Sequence, residues 1–368
     1  MAKAQRTSAS APGRVNLIGE HTDYSLLPVL PVATQKRLRV TATATGDELI
    51  EASSAQFKGV FRSDRRDNPA WARYLEPVAA LVGPIGARLT IDGDLPATGG
   101  LSSSSALTVA SLLALLRLGG TEPEPGRLVE LAVQAERATG VEGGAMDQTL
   151  IVRAVAGTAL RIDFDPLAWR PIAIPDHVAL VAGYSGTPAV KGGAAKEAYN
   201  ARVVGTRFAA ALLGADALGS VDADVDDALA ALPEEAMPDS ESAKLTSGGF
   251  QSLDPLPVRA WARHVLSEAH RVDAAEEALL GGDIVALGRL LDESHASLAE
   301  DFGVSTPQLD SLVTAARRGG AAGARLTGAG FGGWGVAVCH QDHTASVVEA
   351  MATVAGEAFV VQPSGGAA

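Results

Sequence analysis

The chain has 368 residues, more than one hydrophobic core comfortably holds, and a globular composition of 47% hydrophobic and 20% charged residues. Asp and Glu outnumber Lys and Arg by 43 to 30, a formal charge of −13. That balance argues against a nucleic-acid or anionic-membrane partner and leaves any anionic ligand to local donors.

Residues 1–10 carry Lys3 and Arg6 but no apolar stretch, so no secretory leader is expected. Residues 13–24 read Gly-Arg-Val-Asn-Leu-Ile-Gly-Glu-His-Thr-Asp-Tyr. The alternation around Val15 and Leu17 predicts a short strand running into a loop that carries Glu20, His21, Thr22 and Asp23. Burying these groups without partners would cost roughly 1–3 kcal/mol each. A polyhydroxylated ligand satisfies them, because each hydroxyl both donates and accepts; a solvated charged loop is the plainer alternative. Strand-like patches follow at Leu38–Ala44, Ala87–Ile91 and Ala159–Phe164, with helical ones at Trp71–Leu81, Ser104–Leu118 and Leu128–Ala138. The mixture predicts an α/β or α+β domain over roughly the first 175 residues.

Within it, Pro96-Ala-Thr-Gly-Gly-Leu-Ser-Ser-Ser-Ser-Ala106 combines a glycine pair with a serine run that opens a helix. Glycines allow close backbone approach, and free N–H groups at a helix start favour an anion, although serine caps are common without any ligand. The helix holds the longest apolar run, Leu107–Leu116, far short of a membrane span. No Gly-Lys-Ser/Thr follows, so this is not a Walker A loop. Glu136, at the end of the helical patch Leu128–Ala138, is an acid that could reach a metal, although alone it reads better as a solvated helix position. In Gly140-Val-Glu-Gly-Gly-Ala-Met-Asp-Gln148, Asp147 is a candidate general base or hydroxyl-orienting group; alone, it would be a turn or cap residue.

The proline-bounded Arg170–Asp176 marks the expected domain boundary, and Val178–Ala182 opens a second strand-first unit. Residues 214–256 crowd Asp and Glu among small residues and read as a peripheral acidic insertion with a solvated face. Val258–Leu280 and Ile284–Leu298 have helical periodicity with charged faces, as outer helices of a second domain should. In Arg325-Leu-Thr-Gly-Ala-Gly-Phe-Gly-Gly333 the glycines satisfy G-x-G-x-x-G, but the strand-like Trp334–Cys339 follows instead of a helix. The dinucleotide reading therefore fails, and a glycine-rich loop closing beside the substrate site replaces it. Cys339 is the only cysteine, which excludes an intramolecular disulfide and fits a reducing cytoplasm; its apolar surroundings predict a buried structural thiol.

Taken together and in this order, Arg14–Tyr24, the Gly-Leu-Ser-Ser-Ser run at 100–104, Met146-Asp147-Gln148 and Gly328–Gly333 resemble the galactokinase branch of the GHMP small-molecule kinases. Tyr199-Asn200-Ala-Arg202, Ser294–Leu298 and Asp301–Pro307 extend the resemblance over nearly the whole chain. It implies a two-domain α+β GHMP-kinase architecture, residues 1–175 and 176–368, with the active site in the cleft between them. It implies ATP phosphates on Thr98, Gly99, Gly100, Leu101, Ser102, Ser103 and Ser104, and Mg²⁺ on Ser104 and Glu136. Sugar hydroxyls would meet Glu20, His21, Thr22, Asp23, Gly144 and Tyr199. Asp147 would face the C1 hydroxyl, with Arg14 stabilising the transferring phosphoryl and favouring the ionised Asp147.

The implied activity is an ATP-dependent sugar 1-kinase, with galactose ahead of arabinose, a uronic acid or an N-acetylhexosamine; a non-catalytic sugar sensor is the rival. A monomer is the default, the sequence leaving the oligomeric state open. The family runs Asn-Gly-Gly where this chain has Ser25-Leu26-Leu27 before Pro28, and leucines resist the positive φ that glycines allow. A different path is therefore expected for the loop beside the sugar tetrad. The stretch from Glu136 to Asp147 is also one residue shorter than the family's.

Overall fold

The structure, a computed structural model, describes residues 5–189, 193–238 and 254–368. The first half builds a five-stranded sheet from β1 (Arg6–Asn16), β2 (Pro31–Ala44), β3 (Ile50–Ser54), β4 (Val60–Arg62) and β5 (Ala87–Gly93), in the order β1-β2-β5-β3-β4. Its pairings are antiparallel except β3 with β5. The expected helix over Trp71–Leu81 opens instead as a 3-10 turn over Ala70–Tyr74 and continues as α1 (Leu75–Val82). Proline at position 69 supplies the extended entry that such a turn needs.

Helices α2 (Ser103–Leu118), α3 (Pro125–Arg137) and α4 (Met146–Arg153) follow, with α2 against β1 and β2. Residues of α2 facing several directions are buried, including Leu107, Val109, Leu112 and Leu115, because the sheet lies on one side and other helices on the rest. A hairpin of β6 (Thr158–Phe164) and β7 (Leu167–Ala173) closes this half; β7 takes up most of the stretch expected to be the boundary.

The second half begins with β8 (Val178–Tyr184) and continues through α5 (Gly193–Leu212), α6 (Val225–Ala231), α7 (Val258–Gly281), α8 (Ile284–Glu300) and α9 (Pro307–Arg318). It ends with β9 (Gly323–Thr327), β10 (Trp334–His340), α10 (Thr344–Ala355) and β11 (Ala358–Val361). The four strands form an antiparallel sheet in the order β11-β8-β10-β9, with Cys339 buried in it as expected. Part of the acidic stretch, including Asp239 and Glu241, lies outside the described residues. Its described part holds a 3-10 turn at Leu218–Ser220 and α6, capped by the Asp224 carboxylate on the Asp226 N–H.

The two halves share one core. Val15, Leu17, Leu101 and Leu112 belong to the same cluster as Leu180, Val272, Leu279 and Trp334. The segment after β11 also returns to the first half, where the Ser364 N–H donates to Ala33 and the Ala368 N–H to Ser10. The expected outer helix α7 is in fact buried along one side, which includes Trp261, His264 and Glu268. Among the described residues no helix is long and apolar enough to cross a membrane.

Helix α8 meets β9 where Gly288 faces Ala322, and a Cβ at 288 would sit 2.3 Å from the Ala322 carbonyl. Backbone cannot yield as a flexible side-chain end can, so Gly288→Ala should lower stability by roughly 1–3 kcal/mol. A urea midpoint equal to that of the parent chain would contradict this packing.

Candidate active site

The site is organised by Arg14 and Asp147. The β1–β2 register shifts between Pro12 and Arg14, a bulge of the kind that re-aims side chains. There Arg14 Nε donates to Asp147 Oδ1 at 2.8 Å, Nη2 to Oδ2 at 3.3 Å and Nη1 to the Gly100 carbonyl at 2.5 Å. Burial opposes the Arg14 charge, but Asp147 and Glu20 outweigh it and hold the guanidinium above its usual value. Asp147 stands in the first turn of α4, where the helix N-terminus favours a carboxylate. Its Oδ2 also accepts the Ser102 hydroxyl at 2.5 Å. Ser102 precedes α2 in the left-handed region, φ 56°, and its side chain turns to Asp147 instead of capping the helix.

A second buried charge, Glu20, lies one loop away. Its Oε1 accepts the Gly328 N–H at 2.6 Å and the Thr327 hydroxyl at 3.3 Å, with Arg325 Nη2 at 3.7 Å. Burial raises the Glu20 carboxyl above its usual range, against the pull of Arg325 and Arg14. Behind it, fully buried Glu268 on α7 accepts the Gly19 N–H at 3.0 Å, the Ser294 hydroxyl at 2.6 Å and Arg271 Nε at 2.7 Å. Burial alone would push Glu268 up; Arg325 and Arg271 instead hold it at about 2. One turn earlier, His264 Nε2 donates to the Glu20 carbonyl at 3.1 Å. Glu268, His264 and Arg325 thus fasten the 16–20 segment from the second half of the chain.

The remaining wall is aromatic and acidic. His21 sits at φ 65° with Nδ1 2.9 Å from the Tyr24 hydroxyl and its ring 5.7 Å from that of Tyr199. Burial, with His264 and Arg202 nearby, lowers His21 well below its usual value, so the ring is neutral at pH 7. Burial likewise raises Tyr24 and Tyr199, which remain hydroxyl donors. Asp23 accepts the Tyr24 N–H at 2.9 Å and the Met146 N–H at 3.3 Å. It lies so close to Gly144 that a Cβ there would fall 2.1 Å from Oδ2.

One cleft is lined by Arg14, Glu20, His21, Asp23, Asp147 and Tyr199, together with Gly100, Ser102, Glu136, Gly144 and residues Gly328–Phe331. Thr22, expected to meet a sugar, does not line it. Its buried hydroxyl is 2.9 Å from the Gly19 carbonyl and 2.8 Å from that of Pro28, so it ties the turn together. Leu26 corrects a second expectation: it does adopt the left-handed region, φ 63°, ending the 3-10 turn Asp23–Ser25, with Leu27 N–H donating to Thr22.

Of the loop expected to take phosphates, Gly100 and Ser102 line the cleft, and Ser103 and Ser104 open α2. Gly99 lies against Ala189, while the Leu101 side chain is withdrawn into the core and its carbonyl holds the Arg14 N–H. Glu136 accepts Gln148 Nε2 at 2.9 Å beside Asp147. The supporting Glu268 and His264 escaped sequence reading because their i, i+4 spacing matched an ordinary solvated face; charged Arg325 inside an apolar strand was the visible signal.

Two sheets enclosing such a cleft, with an anion-suited loop facing an Arg–Asp pair, define a small-molecule kinase of the GHMP type. Residues 70–154 match the GHMP kinases N terminal domain, 275–356 the GHMP kinases C terminal domain, and 2–44 the galactokinase galactose-binding signature. The galactokinase of Chloroflexus aurantiacus is 39% identical, over 93% of this chain and 86% of its own length. That of Mycobacterium tuberculosis is 36% identical, over 97% and 95%. Lactococcus lactis galactokinase complexed with galactose superposes with a TM-score of 0.81 at 27% identity, over 99% of this chain and 95% of that one. Methanococcus jannaschii mevalonate kinase shares the fold, with a TM-score of 0.66 at 15% identity, over 99% of each chain. The chain belongs to the galactokinase family.

Asp23 gives a pH-dependent prediction. Burial, reinforced by Asp147, raises its carboxyl to about 6, whereas an unfolded Asp titrates near ~3.9. The folded chain therefore holds the proton longer. Asp23 favours folding at low pH, and this contribution is lost as pH rises from about 4 through about 6. Asp23→Asn should raise the melting temperature at pH 8 and lose most of that advantage at pH 4.5. Equal shifts at both pH values would contradict the assignment.

Proposed function

We propose that the chain transfers the γ-phosphoryl group of ATP to the C1 hydroxyl of D-galactose, releasing galactose 1-phosphate and ADP. The observation that carries this reading is the Asp147 carboxylate, held by Arg14 and Ser102 on a cleft walled by sugar-compatible donors and acceptors. Glu20, Asp23 and neutral His21 accept hydrogen bonds from sugar hydroxyls, and Tyr199 donates or accepts. Gly144 keeps the wall open where a Cβ would strike Asp23. In the transfer, the C1 oxygen forms a bond to Pγ as the bond from Pγ to the bridging β,γ-oxygen breaks. The proton of the C1 hydroxyl passes to the Asp147 carboxylate, which Arg14 and Ser102 hold in the cleft. Arg14 keeps that carboxylate in place and sets positive charge beside the developing anion.

Residues 98–104 receive the nucleotide phosphates, with the start of α2 directed at them. Hydroxyl and carboxylate oxygens from Ser104 and Glu136 suit Mg²⁺, a hard cation that completes its shell with phosphate and water and neutralises phosphate charge. Residues 1–175 and 176–368 act as the two domains of this site, and a cytoplasmic setting fits the single, buried Cys339.

ADP release measured with purified protein, Mg-ATP and a panel of galactose, arabinose, galacturonic acid and N-acetylgalactosamine tests the proposal. Galactose should give the highest kcat/KM. Sugar binding without ADP release would support a sensor instead. Asp147→Asn should lower kcat by roughly 10²–10⁴-fold while galactose affinity stays within a few fold. Retained turnover would remove Asp147 from its role.

A further inference from the structure

The fully buried Trp334 opens β10 directly after the glycine-rich loop 328–333. Its ring packs between Tyr184, at 5.6 Å between centroids, and Phe359, at 5.5 Å and edge-on. Its indole N–H crosses from the second sheet to the first half and donates to Thr98 Oγ1 at 3.0 Å. A buried indole N–H left unpaired would be costly, so the bond fixes the hydroxyl as well as the ring.

Three segments of backbone converge at this point. The Ala189 N–H donates to the Thr98 carbonyl at 3.1 Å, and the Gly333 N–H to Thr187 at 2.7 Å. A Cβ on Gly100 would lie 3.1 Å from Trp334 N and 3.2 Å from its Cδ1, and one on Gly99 would lie 2.4 Å from the Ala189 carbonyl oxygen. Residues 98–100 are therefore clasped from outside, and Trp334 supplies the side-chain hydrogen bond to Thr98.

We propose that Trp334 is a positioning residue of the nucleotide site: its indole N–H holds Thr98 so that the loop 98–104 stands preformed for the ATP phosphates. This rests on the reading of that loop as the phosphate site. A loop held in its bound geometry loses less entropy on binding, so the effect falls on ATP affinity and leaves galactose alone.

Trp334→Phe keeps a ring between Tyr184 and Phe359 and removes the N–H; Thr98→Val removes its acceptor. Each should raise KM for ATP roughly 3- to 10-fold, as loss of one hydrogen bond implies, with KM for galactose within twofold. The double variant should be no worse than the worse single one, because both delete the same bond. Simple loss of folded protein would lower kcat and leave both KM values in place. Amide hydrogen exchange over residues 97–101, without nucleotide, separates the two levels of the argument. Faster exchange in Trp334→Phe with an unchanged KM for ATP would overturn the phosphate-loop reading and the positioning role with it. Unchanged exchange and unchanged KM would overturn the role of Trp334 alone, since ADP release tests the kinase reading independently. Additive losses in the double variant would also overturn it.

Discussion

The site depends on carrying several charges into a core that does not want them. Removing one partner of a buried ion pair typically costs about 3–5 kcal/mol, because the other is left without compensation. Arg14 and Asp147 compensate each other through two contacts, and the Gly100 carbonyl takes the guanidinium's remaining edge. Glu20 is stabilised differently, by a backbone N–H and a hydroxyl, with Arg325 at the looser distance of 3.7 Å. Arg325 in turn donates to the Asn16 and Leu17 carbonyls while facing Glu268 at 3.9 Å. Replacing the whole set with apolar residues would often leave a fold as stable or more so. What the charges provide is a set of dipoles already oriented before a ligand arrives, the condition under which electrostatics most assists a reaction.

This arrangement explains why the two halves share a core. The tetrad comes from the loop after β1, but its supports stand on α7 and β9, more than two hundred residues away. A freely hinged interface could not hold Glu20 against Gly328 at 2.6 Å. The glycine-rich segments make such closeness possible: a Cβ on Gly328 would lie 3.1 Å from the Gly100 backbone. Glycine here lets two loops from different sheets meet at van der Waals distance, with the cleft opening beside them.

The sequence carries the chemistry of this site more legibly than its supports. Arg14, Glu20 and Asp23 stand out because so many polar groups crowd the end of one strand, Asp147 stands out only together with the other motifs, and the cleft does gather all four. Thr22 misleads because a hydroxyl is small enough to be satisfied by two carbonyls of its own loop, and nothing local distinguishes that fate from ligand contact. Leu26 misleads because its left-handed backbone is held by turn contacts at Thr22 and Asp23, against a side-chain preference of roughly 1–2 kcal/mol. Glu268 and His264 could not be recognised as buried from helical periodicity. Their compensation comes from Arg325 and from the loop at Gly19 and Glu20, contacts that exist only once the chain is folded.

The charge of the cleft also constrains how an acidic protein can hold a polyphosphate. Among the described lining residues, four carboxylates (Glu20, Asp23, Glu136 and Asp147) face two cations, Arg14 and Lys196. A neutral sugar is indifferent to that excess and welcomes the acceptors. ATP is not, since its phosphates would add charge to a wall already negative. The protein's own counterweights are the N–H groups at the start of α2, the Lys196 ammonium and the Arg14 guanidinium, much of whose capacity is spent on Asp147. A polyphosphate in this cleft therefore meets more negative than positive side-chain charge, so its binding is favoured by whatever cation accompanies it.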